Sequence, residues 1–266
     1  MDPKGKIALV TGAAHGIGFQ ITKELLLQEV KGVSICDVNP TKGQEAAEEL
    51  KKEFGEDTVL FIKTDVSIED ESNGAFEQTV KHFGGLDIVC NNAGIFNDRL
   101  WQHSISINVN GVIMGTILAL KYLGKDQGGK GGVVINTGSI AGLGQALKIT
   151  PVYNATKHAV LGFTRSFRSE FIWKTTGVRV MAVCPGYTTT EIIDTSIDTS
   201  KLLMQEKWQT EFSRELAAHP PPQNVENVGK AVLHMIREGK PGSLWVSESN
   251  EPVYEINIPT HENFKV

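Results

Sequence analysis

The stretch that decides the fold is IALVTGAAHGIG, residues Ile7–Gly18, in which a short apolar run leads through a glycine-rich turn into a helical pattern. In such a turn Gly12 permits a sharp change of direction, Gly16 lets a phosphate approach the backbone, and Gly18 lets the helix pack close to the strand. The first turn of the helix would offer free N–H groups and a positive dipole end to a pyrophosphate. Because the spacing is G-x-x-x-G-x-G and not the general G-x-G-x-x-G, a purely structural glycine turn stands as the alternative.

Further apolar runs of strand length follow along the chain, and longer segments with helical spacing separate them. Runs without in/out alternation are typical of strands that helices cover on both faces, and their alternation with helices is typical of parallel βαβ units. The sequence therefore predicts an α/β fold, a Rossmann-type doubly wound parallel β-sheet of about seven strands with helices on both faces. The predicted strands are Ile7–Val10, Val33–Cys36, Val59–Ile62, Ile88–Cys90, Val133–Asn136, Val178–Val183 and Leu244–Val246.

The composition limits the class of protein. A chain of 266 residues with 40% hydrophobic residues has room for one large domain, and the alternation continues through the glycine-rich segment 127–132, so we expect a single catalytic domain over 1–266. The net charge of -5 argues against a nucleic-acid binder. We expect no membrane span, because no apolar stretch approaches about 20 residues, and no secretory signal, because the first residues, MDPKGKIALVTG, contain no long apolar region. The three cysteines, Cys36, Cys90 and Cys184, form no CxxC pair, so we expect no metal site and a cytoplasmic location.

Two segments break the alternation. The segment 187–222 follows a strand end, where doubly wound sheets bind ligands, so we expect it to form a substrate lid with Trp101 and Tyr254 lining the same pocket. Its apolar residues recur at helical spacing, which also fits an ordinary amphipathic helix packed on the core. These residues are Ile192, Ile193, Ile197, Leu202, Leu203, Met204, Trp208 and Phe212. We expect the C-terminal tail, 247–266, to be loosely packed.

The end of the second strand bears on the choice of cofactor. Asp37 stands about 20 residues beyond the glycine turn, where a carboxylate can accept hydrogen bonds from the ribose hydroxyls of adenosine and would repel a 2′-phosphate. The next residues, Val38 and Asn39, are not basic. The alternative is that Asp37 merely opens the next turn. Combined with the glycine spacing, it favours NAD over NADP, and a protonated His15 would add positive charge near the phosphates.

A tyrosine and a lysine carry the candidate chemistry. Tyr153 and Lys157 are four residues apart in a segment with helical spacing, so both lie on one helix face. A free tyrosine titrates near 10, and a neighbouring cation together with a positive nicotinamide would lower that pKa toward neutrality. Ser139 follows the fifth predicted strand and places a hydroxyl at the same edge of the sheet. Such pairs also occur by chance on amphipathic helices, and Asn92 and Asn108 are by themselves compatible with turn-forming and solvent-facing residues.

Taken together, these residues resemble the short-chain dehydrogenase/reductase family over about Lys6 to Val246. The matching positions are Thr11–Gly18, Asp37, Asp65, Val66, Asn91–Gly94, Asn108, Ser139, Tyr153–Lys157, Pro185 and Gly186. The segments KHFGGLDIVCNNAG and PVYNATKHAVLGFTRS resemble NAD-dependent 15-hydroxyprostaglandin dehydrogenases, and AAHPPPQNVENVGKAVLHMIREGKPGSLWV resembles insect alcohol dehydrogenases. The chain departs from the prostaglandin enzymes at Thr150, where they carry Gln before Pro-Val-Tyr.

The resemblance implies roles for individual residues. Tyr153 would be the general base in oxidation, Lys157 would lower its pKa and bind the nicotinamide ribose, and Ser139 would orient the substrate hydroxyl. Asn108 would hold a water that links Lys157 to bulk solvent. The implied NAD-binding residues are Gly12, His15, Gly16, Ile17, Gly18, Asp37, Val38, Asp65, Val66, Asn92, Gly94, Tyr153, Lys157, Pro185, Gly186, Thr188 and Thr190.

The predicted function is an NAD-dependent oxidation of a secondary or apolar, lipid-like alcohol to a carbonyl. The alternatives are an activity like that of 15-hydroxyprostaglandin dehydrogenase, a carbonyl reductase that uses NADPH, and a non-catalytic NAD-binding sensor or scaffold. The predicted helices 108–122 and 153–173 carry apolar residues beyond one stripe, which indicates a partner. The resemblance implies that these two helices form the two-fold interface of a homodimer.

Overall fold

The computed structural model describes residues 1–144, 147–190, 192 and 198–259. The fold is built on one eight-stranded sheet with the order β3-β2-β1-β4-β5-β6-β7-β8. Neighbouring strands from β1 to β7 pair in parallel, and β8 pairs antiparallel with β7. The strands are β1 (Ile7–Thr11), β2 (Gly32–Asp37), β3 (Val59–Lys63), β4 (Ile88–Asn91), β5 (Gly132–Thr137), β6 (Val178–Pro185), β7 (Leu244–Ser247) and β8 (Tyr254–Ile256).

The predicted doubly wound parallel sheet is confirmed. Every residue of β1, β2, β4 and β5 is buried, which explains why these strands read as continuous apolar runs without alternation. The strand order reverses between β1 and β4, so the carboxyl ends of these two strands open a crevice where ligands bind in such sheets. The eighth strand lies in the tail that we expected to be loosely packed, and that expectation is wrong for residues 254–256. Tyr254 and Glu255 are exposed and give no apolar pattern, so the sequence carried no signal for β8.

Helices cover both faces of the sheet. The helices are α1 (Gly16–Leu27), α2 (Pro40–Phe54), α3 (Glu69–Phe83), α4 (Trp101–Ile105), α5 (Val112–Leu123), α6 (Pro151–Arg165), α7 (Glu170–Thr176), α8 (Gln209–Ala217) and α9 (Val225–Glu238). On one face α1 and α9 pack together over Val10, Val33 and Ile135, and on the other α3 and α5 pack over Leu9 and Val134.

The predicted helix 153–173 is wrong in one respect, because it is broken. After α6 the backbone of Ser169 turns to an extended ψ of 116°, and its side chain accepts from the Ile172 amide at 3.5 Å to begin α7. In contrast, a π-helical turn, Ser106–Gly111, joins α4 to α5 into one helical run. Within the described ranges, that run is the one helix long and apolar enough to cross a bilayer by composition. Its residues Leu118 and Leu123 are buried against the sheet, as in a core helix.

The lid segment, as far as the structure describes it, is not one amphipathic helix. It consists of two short 3₁₀ turns, Thr199–Leu202 and Glu206–Trp208, followed by α8. Leu203 and Phe212 are fully buried in a cluster with other apolar side chains, so this segment packs against the rest of the fold through an apolar face. Met204 is exposed, Ile192 is partly exposed and lines the cleft, and Ile193 and Ile197 lie outside the described residues.

Candidate active site

The glycine turn after β1 has the geometry of an anion site. Gly12 and Gly16 adopt positive φ angles of 63° and 60°, which L side chains rarely adopt. A Cβ at Gly12 would lie 2.8 Å from Ala93 Cα, and a Cβ at Gly18 would collide with the Gly12 carbonyl. The N-cap of α1, His15, makes no side-chain capping bond, so the first amides of α1 are left for a ligand.

The carboxylate of Asp37 holds two backbone amides and also lines the cleft. One oxygen accepts from the Ala14 amide at 3.1 Å, and the other accepts from the Asn39 amide at 3.0 Å. Asp37 therefore opens the next turn and also holds the glycine turn. Each carboxylate oxygen has a second lone pair, and the residue lines the cleft, so it can still accept from a ribose hydroxyl.

The polar groups expected to carry the chemistry converge at the carboxyl end of β5. Lys157 Nζ donates to the Thr137 carbonyl at 2.9 Å and lies 5.7 Å from the centre of the Tyr153 ring. Burial raises the pKa of Tyr153 to about 12, and its hydrogen bond with Ser139 acts in the opposite direction. Burial also lowers the pKa of Lys157 to about 8. A half-buried phenol, a half-buried hydroxyl and a buried amine thus share one site, and the phenol and the amine have perturbed pKa values of the kind that is common at catalytic centres.

Asn108 lies behind this group and not in the cleft wall. The π-helical turn places its buried side chain so that Oδ1 accepts from the Ile95 amide at 2.8 Å and Nδ2 donates to Thr156 Oγ1 at 3.2 Å. A Cβ at Gly94 would lie 3.3 Å from Asn108 Oδ1 and 3.6 Å from Lys157 Nζ. The missing side chain of Gly94 therefore leaves a gap between these two polar atoms.

A single cleft of about 760 Å³ runs from the glycine turn to the Tyr153 group. Of the residues that the sequence predicted for the site, all line this cleft except Gly18, which packs beneath the turn, and Asn108. Trp101 and Tyr254 do not line it, and their side chains are 49% and 45% exposed. No group of three His, Cys, Asp or Glu side chains that could hold a metal occurs among the residues the structure describes.

Asn92 also has a structural task that the sequence did not reveal. Its Nδ2 donates to the carbonyls of Thr11 and Gly12 at 3.0 and 3.2 Å, and its Oδ1 accepts from Thr137 Oγ1 at 3.2 Å. The side chain therefore links the ends of β1, β4 and β5 at the edge where the cleft opens.

The cleft beyond Tyr153 is mainly apolar. Phe96 packs edge-on against the Tyr153 ring with centroids 5.1 Å apart, and Leu147 and Leu216 belong to the same apolar cluster. These residues, together with Ile140, Tyr187 and His219, line the end of the cleft nearest the lid. Sequence reasoning did not single these residues out, because they come from loops and a helix that meet only in the fold.

Gln223 holds the loop that carries Thr188. Its fully buried side chain donates to Thr188 Oγ1 at 3.1 Å and to the Ser247 carbonyl at 2.6 Å, and accepts from Asn227 Nδ2 at 2.8 Å. The backbones of Thr188 and Gln223 also form an isolated parallel bridge. The two ends of the lid segment are therefore joined beside the cleft.

Comparisons with known proteins agree with this geometry. A family model described as short chain dehydrogenase matches residues 6–201. A rat 15-hydroxyprostaglandin dehydrogenase of the NAD(+) type is 43% identical over 194 residues, 73% of this chain and 72% of that protein. The 3beta-hydroxysteroid dehydrogenase 2 of Eggerthella lenta is 37% identical over 71% of this chain and 73% of its own length.

Two other matches cover more of the chain. Fat body protein 2 of Drosophila melanogaster is 29% identical over 92% of this chain and 93% of its own length. The crystal structure of a short-chain dehydrogenase/reductase from Burkholderia phymatum in complex with NAD has a TM-score of 0.76 and 22% identity, covering 92% of this chain and 90% of that one, and supports the fold. With the family model covering well over half of its residues, the chain belongs to the short-chain dehydrogenase family of oxidoreductases.

Proposed function

We propose that this protein is an NAD-dependent dehydrogenase that oxidises the hydroxyl of an apolar, lipid-like secondary alcohol to a carbonyl, within one catalytic domain. The observation that carries the proposal is the continuity of the cleft. One end is a glycine turn facing the first amides of α1, the middle holds Ser139, Tyr153 and Lys157, and the far end is apolar. A dinucleotide and an apolar alcohol can therefore occupy one cleft side by side.

The residues present fit NAD. Asp37 places a carboxylate at the ribose end of the cleft, and such a charge accepts from ribose hydroxyls and repels a 2′-phosphate. A reductase that uses NADPH is the weaker alternative for this reason. The names of the rat relative and of the Burkholderia phymatum complex both include NAD, which supports the same choice. When bound, NAD supplies the carbon that accepts the hydride.

Side chains of the protein would remove the proton of the substrate hydroxyl. Ser139 and Tyr153 would both hydrogen-bond to the substrate hydroxyl, and the phenolate of Tyr153 would take its proton. Because burial raises the pKa of Tyr153 to about 12, the phenolate needs a cation beside it near neutral pH. Lys157 supplies that cation, since a group with a pKa of about 8 is mainly protonated at pH 7. The gap at Gly94 would hold a water between Lys157 and Asn108, on a path that returns the proton to solvent.

The apolar end of the cleft supports a large apolar substrate. Phe96, Leu147 and Leu216 offer no charge to a substrate, and the lid covers them with its own buried side chains. The identity to a 15-hydroxyprostaglandin dehydrogenase makes a similar activity the second candidate. At the position where those enzymes carry Gln, the buried Thr150 donates its hydroxyl proton to the Leu147 carbonyl at 2.9 Å and offers no side-chain amide.

The first experiment is to measure NADH formation with a panel of alcohols. The panel contains short secondary alcohols, farnesol, retinol, hydroxysteroids and a hydroxyprostaglandin, with NADP as the control cofactor. We expect a bulky secondary alcohol to give the highest kcat/KM, with NAD preferred. If NADH binds and no alcohol is oxidised, the catalytic proposal is refuted in favour of the sensor or scaffold. A preference for short alcohols would refute the lipid-like substrate, and a preference for NADP would refute the role of Asp37.

We also propose a homodimer in the cytoplasm. Support for the dimer comes from exposed apolar side chains on the two helical regions concerned, where Ile117 is 53% exposed and Phe171 is 77% exposed. Covering such side chains favours association. Sedimentation equilibrium at micromolar protein should give twice the 29.0 kDa mass of the chain, and a monomer would refute the dimer. Fractionation of cells that express the protein tests its location.

A further inference from the structure

Asp98 is a buried carboxylate beside the catalytic helix that the proposed reaction does not use. It lies in the loop after β4, is 1% exposed, and accepts from the amides of Val152 and Tyr153, both at 2.8 Å. Resting on the function proposed above, we infer that Asp98 is a positioning residue that ties the part of the lid around Leu202 to the catalytic helix and so fixes Tyr153 against the substrate.

The carboxylate of Asp98 caps the N-terminus of α6 from another loop, whereas a helix is usually capped by the residue that precedes it. The N-cap of α6 is Thr150, whose side chain makes no capping bond because its hydroxyl donates to the Leu147 carbonyl. The amides of Val152 and Tyr153 are the second and third of the helix, the positions that an N-cap side chain normally satisfies. Since a threonine could cap this helix locally, stability of α6 alone does not require a carboxylate from another loop.

The loop that carries Asp98 contacts Tyr153 a second time. Phe96 packs edge-on against the phenol ring, with ring centroids 5.1 Å apart. The loop thus holds both the backbone and the ring of Tyr153, and it lines the cleft at the same point. A shift of this loop would therefore move the phenol relative to a bound substrate.

The same loop is attached to the lid on its other side. The amides of Asp98 and Arg99 donate to the Leu202 carbonyl at 2.7 and 3.3 Å, and Arg99 pairs with Glu206 at 2.8 Å. The next lid residue, Leu203, is fully buried in the cluster that contains Phe96. Asp98 is therefore the residue whose backbone contacts the lid and whose side chain contacts the catalytic helix.

The buried carboxylate of Asp98 depends on its two hydrogen-bond donors to remain charged. Burial raises the pKa of Asp98, and the two amide hydrogen bonds act in the opposite direction. Loss of either amide would leave the carboxylate less well solvated, so the contact favours one position of the loop. A buried carboxylate that needs both amide donors therefore connects its loop to α6 in one fixed position.

The test compares amide hydrogen exchange in the parent, in four single variants and in the double variant Asp98→Ala/Leu203→Ala. Asp98→Ala removes both acceptors and Asp98→Asn keeps one, while Leu203→Ala loosens the lid and leaves both acceptors of Asp98 in place. Asp87→Asn is the matched control, since Asp87 accepts from the Ile7 amide at 3.0 Å at the opposite edge of the sheet. We expect Leu203→Ala to speed exchange at Val152 and Tyr153 when Asp98 is present, and to add nothing in the Asp98→Ala background.

Kinetics supply the second readout. With an alcohol from the panel, we expect Asp98→Asn to lower kcat by about 10- to 100-fold, because misplacement of a catalytic group by about 1 Å has such effects. Asp87→Asn should change kcat by less than about twofold, even where both variants lose similar thermal stability. Equal kcat in the two variants would make Asp98 a helix cap only.

The exchange experiment decides the inference without any turnover. If Leu203→Ala speeds exchange within the lid and leaves Val152 and Tyr153 unchanged, the connection through Asp98 is refuted. If Asp98→Ala does not fold, the Leu203→Ala and Asp98→Asn variants still give this result. A parent that oxidises no alcohol refutes the proposed function, and exchange then tests the connection separately.

Discussion

Replacement of Asp37 by Ser should change the preference for the cofactor by about three orders of magnitude. A 2′-phosphate with a charge of about −1.5, about 5 Å from the carboxylate, is repelled by about 5 kcal/mol at an effective dielectric constant of 20. Solvent and salt reduce this repulsion, so we expect about 2–3 kcal/mol, or about 30- to 150-fold, in favour of NADP. The loss of a charge-assisted hydrogen bond to the ribose weakens NAD by about 1.5–3 kcal/mol.

The same substitution also removes two structural contacts. Asp37 accepts from the amides of Ala14 and Asn39, so a loss of about 1–3 kcal/mol in the free energy of unfolding accompanies the change in preference. Asp37→Asn separates the two effects, because the amide keeps the shape and one acceptor while it removes the charge. It should shift the preference toward NADP with a smaller loss of stability.

The assay is titration of NADH and NADPH by fluorescence, together with kcat/KM for NAD and NADP. The matched control is Asp65→Asn, which removes a carboxylate from the same cleft at a residue that accepts from the Ser67 amide. We expect the control to change the ratio of the two affinities by less than about threefold, because the acid that binds the ribose in such folds lies at the end of the second strand, where Asp37 and not Asp65 stands. An unchanged ratio in Asp37→Ser, with both cofactors still bound, would refute the role of Asp37.

Three further predictions concern the Tyr153 site and the lid. Tyr153→Phe should keep NAD binding within about threefold while kcat falls by at least about 100-fold, since the proton acceptor is lost; activity near that of the parent would exclude a general-base role. Burial lowers the pKa of Lys157 from 10.5 to about 8, so between these two pH values the folded state binds fewer protons than the unfolded state. The free energy of unfolding, relative to that of a Lys157→Met variant, should therefore rise with pH in this interval by up to about 1.4 kcal/mol per pH unit. Urea titrations of the two cofactor-free proteins at several pH values between 8 and 10.5 check this, and a constant difference contradicts it. Gln223→Met should weaken NADH binding by about tenfold, because the Gln223 side chain holds Thr188 by a buried hydrogen bond. A change confined to the KM of the alcohol would show that Gln223 serves the lid alone.

The features predicted from the sequence are those encoded by neighbouring residues. The run Ile7–Val10, the glycine turn after it and the four-residue spacing from Tyr153 to Lys157 are local patterns, and each has the predicted structure. The break at Ser169 was missed because the apolar residues on either side, Phe167 and Phe171, keep a helical spacing across it. Local spacing records which residues can share a face, and not where the backbone changes direction.

Features that depend on distant residues could not be predicted. Asp98 reaches Tyr153 across 55 residues of sequence, and Gln223 reaches Thr188 across 35. Neither side chain belongs to a spacing pattern, because its partner is a backbone group or a hydroxyl that many residues offer. The strand β8 was missed for a related reason, since an edge strand with two exposed residues needs no apolar run.

The bridge between Thr188 and Gln223 has a consequence for how such a protein can change. Because the chain leaves and returns at one point, residues inserted between these two positions need not move the residues that hold the dinucleotide. Doubling the length of a flexible loop closed in this way costs only about 0.6 kcal/mol of chain entropy. The match to the family model ends at residue 201, inside this loop. The length and sequence of this loop can therefore change, and with them the substrate that would fit, while the residues beneath the loop are retained.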